Sequence, residues 1–410
     1  MKIGFFGGAF DPIHEGHLSI IRGAVDAGLD LVIVIPSARA VFKRGHAISA
    51  APYRYYMSLK GLKSLPEKYL KKTVLSDIEF RLSGISYTYN TVCELLDGNY
   101  LKEIIENFAG KKTAKKFSEA TNSYYWLCGS DILESFDNWY KPAELLSKVS
   151  LMTAIRPGYE ADTEDKRRKL EEKYNTTVYS FEIDGIEIAS SSIKKNRKFD
   201  NLPAKVSEFI YTHNLYNEHN VLDEVKEETA AAFYEYAIDL FFVLTEKRML
   251  HTLNVGIYAA QLALIHGCDA DKALIAGILH DCAKDLPVKM QAQYANMYAG
   301  DVFNNEKLYH SPAGAYLALN KYHINDSEIL DAIKYHTTGH GGMTLLESIV
   351  YLADKLEPSR TYSDLTEMRK AATSDIKKAM KMVSEEVRDK FISQNRDVHP
   401  LTLDMMREFT

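Results

Sequence analysis

Two histidines three residues apart, His14 and His17, follow the glycine pair Gly7 and Gly8 in the opening stretch MKIGFFGGAFDPIHEGH. In a first helical turn, positions i and i+3 share a face, so both imidazoles can address one ligand. Glycines let the backbone approach that ligand without a Cβ between, and the unpaired N–H groups of the first turn attract anions. Phosphate binding is the chemistry these residues suit; a pair of structural histidines is the alternative. The stretch is not a P-loop, because no Gly-Lys-Ser/Thr follows. Nor is it GxGxxG, because the glycines fall at 4, 7, 8 and 16.

A second set lies far along the chain: His251, the pair His280-Asp281, His310, His336 and Asp354. Imidazole combined with carboxylate suits iron, manganese, zinc or magnesium, and no thiolate points to a structural zinc site. Neighbouring positions on a helix differ by about 100°, so His280 and Asp281 at a helix end can both reach one ion. Buried histidines of a helical bundle would be the bland explanation.

Elements must position these groups. From Met1 to about Tyr216 short apolar runs alternate with amphipathic ones, and strands are predicted at Lys2–Phe6, Asp30–Ile35, Thr73–Ile78, Tyr125–Cys128, Ser150–Ile155 and Val178–Ile183. Their Val- and Ile-rich texture predicts a parallel, doubly wound α/β sheet of Rossmann type, with the ligand at the strands' carboxyl ends. Beyond Val221 the pattern becomes helical throughout. Helices are predicted at Lys247–His266, Ala270–Ala283, Glu328–Tyr335 and Leu345–Leu356, with Pro358 ending the last. Two domains follow, residues 1–217 and 222–410. The Lys-rich stretch 98–123 reads as a solvated helix or a mobile loop.

The composition, 46% apolar and 26% charged with a net charge of −6, is that of a globular protein without a basic footprint for nucleic acid. Cys93, Cys128, Cys268 and Cys282 form no CxxC pair and read as reduced thiols. No apolar run reaches the ~18 residues of a membrane span, and Asp11 interrupts the N-terminal one, so a cytoplasmic protein with no membrane partner is expected. The sequence leaves open whether the chain forms a homo-oligomer.

The spelling from Gly7 to His17 resembles the nucleotidyltransferase superfamily signature, with His14–His17 as its HxGH tetrad. The resemblance implies adenylyl transfer from ATP with Mg²⁺, the two histidines holding phosphates, and Gly7, Gly8 and Phe10 beside the nucleotide. Ser86-Tyr87-Thr88-Tyr89-Asn90-Thr91 resembles the SYTxxT segment of nicotinate-nucleotide adenylyltransferases, and Gly129-Ser130-Asp131 with Trp139 resembles their GxD and Trp elements. That likeness implies Ser86, Tyr87, Thr88 and Thr91 around the pyridine ring, Gly129 and Asp131 at a ribose, and Trp139 against the ring. In the same family the loop after the second strand carries a lysine, which is Lys43 here. Ile188-Ala189-Ser190-Ser191-Ser192-Ile193-Lys194 resembles the second superfamily motif, implying Ser190, Ser191 and Lys194 at the triphosphate, with Lys in place of a bidentate Arg.

The second half resembles the HD phosphohydrolase superfamily, and within it the symmetrical diadenosine tetraphosphate hydrolases. The likeness is carried by His251-Thr252-Leu253, by the run Gly277 to Lys284, by His310-Ser311-Pro312, by Tyr335-His336-Thr337 and by Tyr351 to Arg360. It implies one ion on His251, His280, Asp281 and Asp354, a second completed by His310 and His336, and Lys284 on a phosphate. A bifunctional enzyme acting on ATP, nicotinate mononucleotide and dinucleoside polyphosphates is therefore expected. The alternatives are a helical domain that senses nucleotides without turnover, and a different acceptor such as phosphopantetheine for the first domain.

Overall fold

A computed structural model describes residues 1–39, 48–119, 121–184, 189–217 and 219–409. Lys43 lies outside the described residues. The chain divides into two compact units between Tyr211 and Thr212.

In the first unit six parallel strands form one sheet: β1 (Lys2–Gly8), β2 (Leu31–Pro36), β3 (Thr73–Leu75), β4 (Ser123–Gly129), β5 (Ser150–Ile155) and β6 (Val178–Glu182). Their order is β3-β2-β1-β4-β5-β6, so the chain reverses direction across the sheet between β1 and β4. Phe5 pairs with Ile33 on one side and Trp126 on the other. Val32, Ile33 and Val34 are all fully buried, which a central strand covered on both faces requires. The carboxyl ends of β1 and β4 border the crevice where such sheets take their ligands. Gly7-Gly8 and Gly129 end those two strands.

The Lys-rich stretch is neither a loop nor a solvated helix. Helices Tyr100–Ala109 and Lys111–Glu119 bury Leu101, Ile105, Ala114 and Phe117 in the core cluster beneath the sheet. Their apolar residues fall at helical spacing, and Lys102, Lys111, Lys112 and Lys115 are exposed.

The second unit is helical throughout its described residues. Helix Glu246–His266 crosses Ala270–Leu279 at Gly256 and Gly277, where a Cβ on Gly277 would fall 2.6 Å from the Gly256 Cα. Only a glycine pair allows backbones that near, and the contact lies close to His251 on one helix and His280 on the other. Ala270–Leu279 stops short of the predicted Ala283, so His280 is its C-cap and Asp281 lies in the following turns. Helices His310–Asn320, Ser327–Tyr335 and Leu345–Leu356 bring up His310, His336 and Asp354. Among the described residues no helix is long and apolar enough to cross a membrane.

Candidate functional sites

At the end of β1 a Cβ on Gly7 would fall 2.5 Å from the Trp126 ring, so glycine there lets the β4 indole lie across the strand end. The chain then turns through Phe10, a non-glycine residue at φ +48°, held by a ring buried against Phe6 and His17. Helix Glu15–Asp26 starts at its N-cap His14. The His14 and His17 rings stack with centroids 3.7 Å apart, and the His14 backbone N–H donates to His17 Nδ1 at 3.2 Å. Since Nδ1 accepts, a neutral His17 carries its proton on Nε2. Burial, the neighbouring His14 and the Arg156 charge press the His17 pKa well below 6.5. Burial and then Arg156 bring His14 down to about 4. Both rings are therefore neutral near pH 7, and His17 presents a hydrogen-bond donor.

Those rings border a cavity of about 460 Å³, lined also by Gly7, Gly8 and Phe10. Ser86, Thr88, Gly129, Asp131, Trp139 and Ser190 line it as well, so segments distant in sequence converge. Four other sequence-predicted residues stand apart from this lining. Thr91 is fully buried, its hydroxyl donating to the Glu79 carboxylate, and it anchors the Ser86–Thr88 turn from behind. The Tyr87 ring turns outward against Tyr140 at 4.7 Å. Ser191 does not face the cavity. Lys194 Nζ is held 2.8 Å from Asp11 Oδ2, whose buried carboxylate gives it a fixed partner, while Ser190 Oγ donates to the Pro12 carbonyl.

Several residues of this site carry no role in the sequence reading. Arg156, just past the end of β5, lines the cavity, and Glu79 lines it with a carboxyl whose pKa burial raises. Arg54, 1% exposed, donates to the carbonyls of Ala9 and Ser49 at 2.8 Å and so ties the glycine loop to the segment entering helix Ala51–Leu62. A strand-end cation was a readable signal for Arg156; nothing in the sequence marked Arg54 as buried.

In the second unit the predicted ligands converge. His251, His280 and Asp281 form one buried group whose ligand atoms lie within 4.8 Å of one another, and Asp281, His310 and His336 form another, with Asp281 common to both. Asp354 Oδ1 stands 3.0 Å from His251 Nε2 and 3.7 Å from His280 Nε2. Asp281 Oδ1 stands 3.5 Å from His310 Nε2 and 3.6 Å from His336 Nε2. Atoms that share one cation at ~2.0–2.2 Å stand roughly 3 to 3.5 Å apart, so this spacing fits divalent ions. The hydrogen bonding fits too, since His280 Nε2 and Asp281 Oδ1 are buried with no partner, a costly arrangement unless an ion satisfies them.

The backbone fixes the ring orientations. His280 Nδ1 lies 2.7 Å from the Gly277 carbonyl, and His336 Nδ1 lies 2.7 Å from that of Ile333. A carbonyl only accepts, so each Nδ1 carries the proton and each Nε2 offers a lone pair inward. Both rings use an orphan carbonyl three residues back at a helix C-terminus. Burial takes the His280 pKa down to about 3, keeping it neutral. Burial pushes the Asp281 carboxyl up, yet the Lys284 charge leaves it below the ordinary value.

Glu357, just past the end of helix Leu345–Leu356, is 1% exposed and stands 3.1 Å from His251 Nδ1. It also accepts from Asn254 Nδ2 at 2.8 Å and from the Ser359 N–H at 2.7 Å. It orients the His251 ring as an outer carboxylate partner does in metal sites. Lys284 Nζ lies 2.7 Å from His310 Nε2.

Fold and sites define a nucleotidyltransferase-type α/β unit joined to an HD-type helical, metal-dependent unit. Residues 5–196 match the cytidylyltransferase-like family and residues 248–359 the HD domain family. A protein of Mycoplasma pneumoniae named as a probable nicotinate-nucleotide adenylyltransferase/Ap4A hydrolase is 30% identical over 93% of this chain and 98% of its own length. A Bacillus subtilis symmetrical bis(5'-nucleosyl)-tetraphosphatase is 40% identical over 39% of this chain and 87% of its own. A probable nicotinate-nucleotide adenylyltransferase of Clostridium novyi is 32% identical over 52% of this chain and 98% of its own. The chain belongs to the family of the two-domain nicotinate-nucleotide adenylyltransferase/Ap4A hydrolase proteins.

Proposed function

We propose that the chain catalyses two reactions: adenylyl transfer from Mg²⁺-ATP to nicotinate mononucleotide, and hydrolysis of dinucleoside polyphosphates such as diadenosine tetraphosphate. One observation carries both halves: the backbone holds His17 of the first unit and His280 and His336 of the second in opposite tautomers, as a donor at one site and as lone pairs at the other.

In the first reaction an oxygen of the mononucleotide phosphate attacks the ATP α-phosphorus in line, the bond to the β-phosphate oxygen breaks, and pyrophosphate leaves. Such transfer needs positioning and charge stabilisation more than covalent help. The His17 Nε2–H and Arg156 supply positive character for the phosphates, and a preset donor of this kind contributes about 2.7–4 kcal/mol. Trp139, Ser86 and Thr88 shape the part of the cavity assigned to the acceptor ring.

In the second reaction His251, His280, Asp281 and Asp354 would hold one divalent ion, and His310 and His336, with Asp281 common to both, a second. An ion bound there polarises a phosphoryl oxygen and lowers the pKa of a coordinated water. Imidazole-rich ligation with carboxylates favours iron, with manganese, zinc or magnesium as alternatives. The Lys284 and Arg360 side chains bring positive charge to the rim for a polyphosphate. The unpartnered lone pairs support turnover over a sensing role.

The test is chromatography of the purified protein given Mg²⁺-ATP with nicotinate or with nicotinamide mononucleotide, and separately diadenosine tetraphosphate with and without chelator. Nicotinate adenine dinucleotide from the first mixture, and chelator-sensitive ADP alone from the second, are expected. No dinucleotide from either mononucleotide, or an intact tetraphosphate, would refute the corresponding half.

A further inference from the structure

The open nitrogens of the metal centre do not all face the same surroundings. His280 Nε2 has no partner. His251 Nε2 faces Asp354 Oδ1 at 3.0 Å, and one terminal nitrogen of the Arg360 guanidinium lies 3.1 Å from the first atom and 3.0 Å from the second. Glu357 faces His251 Nδ1 and Asp354 Oδ1 faces Nε2, so in the neutral ring with its proton on Nδ1, the form a metal ligand takes, the imidazole nitrogen and the carboxylate oxygen are two acceptors face to face. An NH₂ group has two hydrogens and can give one to each. The guanidinium therefore bridges the same two atoms that a divalent ion at this position would ligate. Two cations cannot share that contact distance in a buried setting without strong repulsion.

The rest of the side chain shows how it could yield. Arg360 Nε donates to the Asp354 main-chain carbonyl at 3.0 Å, so the arm is anchored on the chain rather than on the ligand atoms. Its side chain is 32% exposed, against 17% for Asp354, so the terminal group has solvent on its outer side. A guanidinium turned outward from there stands at the rim of the centre with its planar donors open to a phosphate.

We propose that Arg360 and the metal ion are alternate partners of the His251–Asp354 pair. Arrival of the ion displaces the guanidinium from the two ligand atoms and frees it for the anionic substrate, so metal loading and phosphate binding are coupled through one side chain. The proposal rests on the metal reading of this centre and is independent of which nucleotide is hydrolysed.

The test titrates Mn²⁺ into chelator-treated full-length protein, reading free Mn²⁺ by electron paramagnetic resonance, for the wild type, Arg360→Met and Arg360→Lys. Removing a competing charge at this range is expected to tighten binding in Arg360→Met by about tenfold or more, with Arg360→Lys in between. Unchanged or weaker binding in Arg360→Met overturns the proposal and makes Arg360 a support for Asp354. A second measurement needs no variant to fold: the ¹⁵N resonances of the Arg360 terminal Nη–H groups in the wild type, followed during Zn²⁺ titration, are expected to shift in step with site filling. Resonances unmoved at saturation overturn the proposal with the metal reading intact. A wild type that binds neither Mn²⁺ nor Zn²⁺ overturns both.

Discussion

Both units build their sites around histidines at helix ends, and the two sites attract opposite charges. At the N-terminus of helix Glu15–Asp26 an amide hydrogen fills His17 Nδ1, leaving a donor outward. At the C-termini of Ala270–Leu279 and Ser327–Tyr335 carbonyl oxygens fill Nδ1 of His280 and His336, leaving lone pairs outward. At these three rings the helix end sets the tautomer, while His310, at the N-terminus of His310–Asn320, and His251, inside Glu246–His266, face side chains instead. Under the proposed function the same side chain would serve phosphate binding in one unit and metal binding in the other.

The comparison breaks most sharply at the shared carboxylate. Asp281→Ala removes the one group common to both ligand sets. It is expected to lower tetraphosphate hydrolysis by more than about a hundredfold, the upper end for loss of a mere outer partner, and to lower bound metal measured by mass spectrometry. Adenylyl transfer should persist, and loss of both activities would show that the sites are not separable.

His17→Ala probes the opposite polarity. Loss of a preset donor is expected to slow pyrophosphate release by about 10²–10³-fold, with hydrolysis unchanged in the same preparation. An unaltered rate would return His17 to a structural role.

A pH experiment sharpens the contrast in burial. The His14 pKa is about 4 in the fold, against 6.5 without its surroundings. Its contribution to stability is complete above pH 6.5 and is lost as pH falls toward 4, because the unfolded chain takes up the proton first. The shift corresponds to ~3 kcal/mol as an order of magnitude. Both tryptophans, Trp126 and Trp139, lie in the first unit, so urea unfolding followed by their fluorescence reports that unit alone. The wild type should lose stability between pH 6.5 and 4.5, and His14→Gln should show a shallower loss.

A smaller effect is expected one layer out. Glu357→Gln keeps the shape but weakens the partner of His251 Nδ1, and metal affinity should fall by about 10–100-fold with adenylyl transfer untouched. An unaltered metal affinity would make Glu357 a packing residue.

Much of this was readable from residue types and spacing. Periodicity located all six strands of the sheet, most plainly where a buried strand such as Leu31–Pro36 carries an unbroken apolar run, while β3 stops at Leu75 and Ile78 begins a helix. The residues of the second centre were readable less from their spacing than from the resemblance of their runs to the HD superfamily, since His251 and Asp354 lie within helices rather than at their ends. What sequence could not carry is orientation. Thr91 and Ser86 share one short motif, yet the helix that begins at Thr88 turns Thr91 into the core, against Glu79. Lys194 reads as a cation for phosphates until the fold brings the buried Asp11 to it from across the chain. The Gly256–Gly277 contact behind His251 and His280 looks like two ordinary helix glycines until the helices cross. Tautomers depend on which backbone atom ends up opposite a ring, a long-range outcome except where the partner is three residues back.

The claim that helix polarity sets ligand charge can be measured on the rings themselves. Long-range ¹H–¹⁵N spectra of histidine-labelled, chelator-treated protein near pH 7.5 distinguish the two neutral forms. The account predicts His17 protonated on Nε2, and His280 and His336 protonated on Nδ1. Finding His17 in the same tautomer as His280 and His336 would contradict it.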